Sequence, residues 1–101
     1  MKKPRLSRQA RADLRGIVTR LNRRNRANAR RTYDEIMARI WSHAQQPLTG
    51  SPCDDFLPEL RSSAVASYVV FFRPVADTIE VLRVLWGTRD HKKIIQQETE
   101  I

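Results

Sequence analysis

Two runs dominate the pattern of apolar and polar positions, Tyr68 to Arg73 and Ile79 to Leu85, both rich in β-branched and aromatic residues. Parted by Pro74-Val75-Ala76-Asp77-Thr78, they predict a β-hairpin with a longer loop. Alternation puts Tyr68, Val70 and Phe72 on one face and Val69, Phe71 and Arg73 on the other. In the second strand Ile79, Val81, Arg83 and Leu85 alternate with Glu80, Leu82, Val84 and Trp86. Both faces are apolar, which predicts helices on one side and a partner or the C-terminal tail on the other.

Upstream the period changes. Ala10, Leu14, Ile17, Val18 and Leu21 recur at helical spacing behind Ser7, a good N-cap, and predict a first helix over about Arg8 to Arg23. Asn22-Arg23-Arg24-Asn25 interrupts the stripe. Ala29, Tyr33, Ile36, Met37, Ile40, Trp41 and Ala44 then trace a second helix from about Arg26 to Gln45, ended by Pro47. The two form an antiparallel αα-hairpin whose apolar faces need a flat surface, and the sheet supplies it.

The remaining segments are shorter. Lys2 to Leu6 reads as a first strand, confined by Pro4 to an edge or a bulge. Gln46 to Asp55 is a loop, Phe56 to Ser63 a further strand with Leu60 toward the core and Arg61 away from it, and Ala64 to Ser67 a turn. After Gly87-Thr88-Arg89-Asp90 the pattern allows one or two helical turns over His91 to Gln97 and a frayed end at Glu98 to Ile101.

Composition narrows the class. At 101 residues the chain makes one domain, residues 1–101 with 91–101 as a C-terminal tail, and buries roughly 65% of its unfolded surface. No run approaches a membrane span, and MKKPRLSRQARADL has no apolar stretch behind its basic residues, so a cytoplasmic protein is expected. The single Cys53 makes no internal disulfide and has no metal-ligand spacing around it; neither metal nor cofactor is expected.

Charge changes the picture more. Met1 to Arg31 holds 12 Lys or Arg against one acid, Asp13, a net of +11, whereas Thr32 to Ile101 holds 7 against 10, a net of −3. A polycationic end favours an anionic partner, whether nucleic acid, ribosome or an acidic protein segment; the competing reading is a solvated helix face. There is neither a helix-turn-helix pattern nor a Cys/His finger to support direct reading of DNA.

Several residues are candidates for chemistry. Cleavage of RNA without a metal needs a base for the 2′-hydroxyl and cations for the phosphate. Arg61, Arg73, Arg83 and Arg89, with Lys92, Lys93 and His91, could serve as cations, and Glu59 or Glu80 as bases, but they form no spacing motif. Against that stands a structural role for Arg73, Arg83 and Arg89, paired with Glu80, Asp77 or Asp90; Arg73 meets Glu80 in one hairpin register. His43 reads as a polar surface residue of the second helix and His91 as part of the tail. Trp41 and Trp86 read as core, although an exposed Trp would anchor a partner.

The element order, with LSRQARADLRGI at Leu6 to Ile17, LRS at Leu60 to Ser62, YVVFFR at Tyr68 to Arg73 and IEVLRVLWGTRD at Ile79 to Asp90, resembles the RelE/ParE toxins of bacterial type II toxin-antitoxin systems. The likeness spans about residues 5 to 92, and its opening and closing motifs are more similar to the ParE branch. It implies an α+β fold of order β-α-α-β-β-β, an antiparallel sheet with a helical hairpin on one face. It also implies a toxin that binds and blocks DNA gyrase, is neutralised by a cognate antitoxin, and reaches operator DNA only through that antitoxin. The alternative is a RelE-like endonuclease that cuts mRNA on the ribosome through Arg61, Arg73 and Arg83. Arg61, Arg73, Arg83, Trp86 and Arg89 are the residues expected to contact the antitoxin or the target. Two positions depart from the family pattern: Glu59 stands where glycine is frequent, and Trp86 where histidine is.

Overall fold

Ser7 organises the N-terminal third. Its hydroxyl accepts from the Ala10 amide (3.0 Å) and donates to the Leu82 carbonyl (2.8 Å), while its own amide donates to the Val81 carbonyl (2.9 Å). One residue thus caps a helix and ties it to a strand edge. In the computed structural model, which describes residues 1–88 and 90–99 and only the backbone of the last two, the order is β1 (Arg5–Leu6), α1 (Arg8–Asn22), α2 (Arg26–Gln45), β2 (Ser51–Pro52), β3 (Arg61–Val65), β4 (Tyr68–Val75), β5 (Thr78–Trp86) and α3 (His91–Thr99). Asn25 caps α2 as Ser7 caps α1, its side chain accepting from the Asn28 amide (3.0 Å).

The five strands form one sheet in the order β1-β5-β4-β3-β2. It is mixed, because the edge strand β1 runs parallel to β5, with Arg5 opposite Glu80 and Leu6 opposite Val81; the other pairings are antiparallel, as expected. A two-residue edge strand carries too little pattern to declare its direction.

The hairpin is longer and its turn tighter than the sequence pattern implies. β4 continues through Pro74, opposite Ile79, leaving Ala76-Asp77 as the turn. Proline is tolerated there because β3 begins at Arg61, opposite Phe72, so β4 has no neighbour on that side at Pro74. Similarly, β3 persists to Val65, and Ala66-Ser67 makes the turn into β4. The strand expected over Phe56 to Ser63 starts only at Arg61. Before it, Asp54 Oδ1 accepts from the Glu59 amide (3.0 Å) and Glu59 takes φ 66°, which closes a turn.

Glu59, Ala66 and Ala76 all sit in the left-handed region, at φ 66°, 54° and 54°. That conformation costs a non-glycine residue roughly 1–2 kcal/mol, and glycine returns roughly 0.5–1 kcal/mol of the gain as chain entropy. The triple change Glu59→Gly, Ala66→Gly, Ala76→Gly is therefore expected to stabilise the fold by about 2 kcal/mol, read as a higher urea midpoint at unchanged slope. An unmoved midpoint would mean the turns carry no such strain.

Strict alternation fails once. Phe71 pairs with Arg83 but Phe72 with Val81, so Leu82 is an extra residue, a β-bulge. Val81 and Val84 consequently share the helical face. That core joins Ala10, Leu14 and Ile17 of α1 and Ile36, Ile40 and Ala44 of α2 to Val65, Tyr68, Val70, Phe72, Ile79, Val81 and Val84. Leu82 keeps the other face and Leu85 passes to it, where Leu60, Phe71, Leu85 and Ile95 form a second cluster flanked by Phe56, Leu57, Val69 and Ile94. Of the two covers expected for that face, the C-terminal segment is present: α3 seals it through Ile95, which is fully buried.

Candidate functional site

The sheet distributes the expected arginines to three places. Arg83, in the bulge, turns to α1 and forms a two-pronged ion pair with Asp13, Nε to Oδ2 at 2.8 Å and Nη2 to Oδ1 at 2.9 Å. Asp13 Oδ2 also accepts from the Val84 amide (2.9 Å), at the edge of β5 that β1 no longer covers. Arg73 lies opposite Glu80 and pairs with it at 3.2 Å, the simple cross-strand pair that one register allows. Arg61 reaches back over β2, Nη1 donating to the carbonyls of Thr49 and Gly50 at 3.4 Å each. Each of the three is engaged with the chain itself, and the pairings keep them on separate strands and edges. Arg89 lies outside the described residues.

Glu80 is committed to Arg73, and Glu59 is exposed in its turn. Lys92 and Lys93 are exposed on α3. His91 is anchored, not loose: its Nε2 donates to the Trp86 carbonyl (2.8 Å) and its ring meets Phe71 edge-on at 5.2 Å.

His43 corrects the surface reading. It is 8% exposed and stacks on Phe72 with centroids 4.5 Å apart. Thr49 Oγ1 spends its proton on the Gln46 carbonyl (2.6 Å) and so accepts from His43 Nδ1–H (2.7 Å), which fixes the tautomer. Nε2 is buried without a hydrogen-bond partner among the described residues. Burial first, then the charge of Arg39, holds the imidazole pKa below its ordinary 6.5. The unfolded chain therefore binds a proton that the folded chain refuses. The contribution is intact above 6.5 and is lost as pH falls through the lowered folded value. His43→Gln is expected to flatten the fall in urea midpoint between about pH 7 and pH 5; an identical slope in both proteins would refute this origin.

Trp86, expected in the core, is 42% exposed at the end of β5. It packs edge-on against Tyr68 at 5.2 Å, and the Arg20 guanidinium stands 6.0 Å over its ring while donating to the Tyr68 hydroxyl at 3.3 Å. Arg24 joins Arg20, Leu21, Tyr68 and Trp86 around one pocket. A second open surface lies between the helices, where Leu14, Val18, Ala29 and Tyr33 lie between Arg11 and Arg15 of α1 and Arg26 and Arg30 of α2. Sequence reasoning missed Arg20 and Arg24 as neighbours of Trp86, since nothing local joins a helix to a strand end. Asp13 had a usable signal: it is the lone acid among the first 31 residues.

Among the described residues no cluster of His, Cys, Asp or Glu could hold a metal ion, and no helix is long and apolar enough to cross a membrane. What the surface offers is an aromatic anchor framed by cations, on a sheet carrying an αα-hairpin. The fold is similar to that of a solved structure described as the chromosomal ParDE system from P. aeruginosa, with TM-score 0.72 over 85% of this chain and 96% of that one at 21% identity. Residues 5–91 match the model of the ParE toxin of type II toxin-antitoxin systems, and Toxin ParE1 of Caulobacter vibrioides is 38% identical over 86 residues, covering 84% of this chain and 88% of that protein. The chain belongs to the ParE toxin family, and a toxin of this type has a cognate antitoxin as partner.

Proposed function

We propose that this toxin inhibits DNA gyrase in the cytoplasm by direct protein contact, doing no chemistry on its target, and that its cognate antitoxin neutralises it by occupying its surface. The observation that carries the reading is Trp86, half-exposed, backed by Tyr68 and flanked by Arg20 and Arg24. Tryptophan, tyrosine and arginine are the residues that dominate protein interfaces, and here they form one supported anchor. Of the other contacts expected from sequence, Arg73 is exposed and available at the rim, whereas Arg83 is mostly buried against Asp13. The interhelical groove, apolar along its floor and lined by arginines, suits an acidic amphipathic segment of the antitoxin.

The test runs two assays on one preparation: supercoiling by purified gyrase, and integrity of a reporter mRNA on translating ribosomes. Supercoiling is expected to stop while the mRNA stays whole. Trp86→Ala is expected to weaken inhibition by about tenfold or more. Cut mRNA with unimpaired supercoiling would replace the proposal with the endonuclease.

A further inference from the structure

We infer that the turn joining α1 to α2 is a binding surface for the phosphate backbone of a nucleic-acid duplex, engaged without regard to sequence. Residues 22–28, Asn22-Arg23-Arg24-Asn25-Arg26-Ala27-Asn28, are all exposed. Three arginines, three asparagines and one alanine present donors and almost no apolar area. Protein interfaces centre on apolar and aromatic residues and single-stranded nucleic acid is held by stacking on aromatic rings; residues 22–28 contain no aromatic residue, and of the three arginines only Arg24 borders the Trp86 pocket. Arginine and asparagine are among the side chains that grip phosphate and sugar oxygens.

The charge at the turn is not neutralised from within. Between Asp13 and Asp34 the chain carries seven arginines and no acid. Asp13 is held by Arg83, and Asp34 pairs with Arg30 at 3.2 Å. Arg23, Arg24 and Arg26 make no ion pair among the described residues.

The turn is also held in shape. The amides of Arg24 and Asn25 donate to the Leu21 carbonyl at 3.0 and 2.9 Å, and the Asn25 side chain caps α2. The backbone that carries these cations is therefore set before binding, and only the arginine side chains have to be ordered when they meet a rigid row of phosphates. A duplex carries about one negative charge per 1.7 Å of axis, so such a row presents several phosphates to the turn at once.

This inference does not depend on gyrase being the target, because the chain alone is tested. Anisotropy of a labelled mixed-sequence DNA duplex is titrated with the full chain at salt from about 50 to 200 mM, a range in which phosphate contacts are strongly screened. A duplex RNA, a single strand and polyglutamate run beside it. The chain is expected to bind the duplex with a steep salt dependence. Arg23→Gln, Arg24→Gln, Arg26→Gln together should lower the log-log slope by about 2.7 and the affinity at ~0.1 M salt by roughly two to three orders of magnitude. The same three changed to Lys should keep most of the affinity, which separates lost charge from a damaged turn. Lys92→Gln with Lys93→Gln, on α3 across the sheet, should cost much less. The relative affinities of the DNA and RNA duplexes identify which one the turn prefers. No duplex binding, equal losses in the two neutralised variants, or tighter binding of the single strand or polyglutamate would overturn the assignment.

Discussion

Asp13→Ala is expected to destabilise this toxin by about 3 kcal/mol, a large share of a small domain's stability. The carboxylate holds the Arg83 guanidinium through two bonds of 2.8 and 2.9 Å and takes the Val84 amide at 2.9 Å, and the paired side chains are only 13% and 14% exposed. Its removal strips a mostly buried cation of its counter-charge and a strand-edge amide of its acceptor. Replacing both partners, Asp13→Leu with Arg83→Met, is expected to recover much of that loss, since an apolar pair of similar volume can match a desolvated ion pair. Urea unfolding of the two single variants and the double variant decides it. Purely additive losses would show that the pair is not coupled. The double variant also bears on function: a toxin acting by contact keeps inhibiting without Arg83, while an enzyme relying on that arginine stops.

The second large effect is expected at α3. Ile95 is fully buried on the cluster of Leu60, Phe71 and Leu85. Ile95→Ala should cost about 3 kcal/mol by removing transfer energy and leaving a cavity. The loss should be concentrated where α3 meets the sheet. His91 holds the start of α3 through the Trp86 carbonyl, and the Gln96 side chain holds its middle through the Phe56 carbonyl at 3.3 Å. Hydrogen exchange is the decisive readout: amides of α3 should lose protection while those of α1 and α2 keep theirs. Loss of protection throughout the chain would make α3 an integral part of the global folding unit.

These two sites also mark the limits of the sequence. Helices α1 and α2 were legible because Ala10, Leu14 and Ile17, and then Ala29, Ile36, Ile40 and Ala44, repeat at the helical period behind residues that cap. The Arg73 and Glu80 pair was legible as one of the available registers. The bulge at Leu82 was not, since a strand with apolar residues on both faces reads equally well in either phase. The Asp13 and Arg83 pair spans 70 positions, beyond any local pattern. His43 lies seven residues after Ile36, two turns along the buried stripe, but its polar side chain concealed a position that geometry had marked. The C-terminal tail was legible as one of two possible covers for the second face, but Ile94 and Ile95, in a short segment rich in Lys, Gln and Glu, did not decide between it and a partner.

Membership of the ParE family tells what the chain is, whereas how it acts is our proposal: by contact, through residues such as Trp86 and its neighbours. Reversal tests that claim most directly. Gyrase is first inhibited with this toxin, and the cognate antitoxin is then added in excess with supercoiling followed in time. Contact without chemistry predicts that supercoiling returns to its starting rate as the toxin is withdrawn. Gyrase that remains inactive once the toxin has been sequestered, or that was never inhibited at excess toxin, would contradict the account.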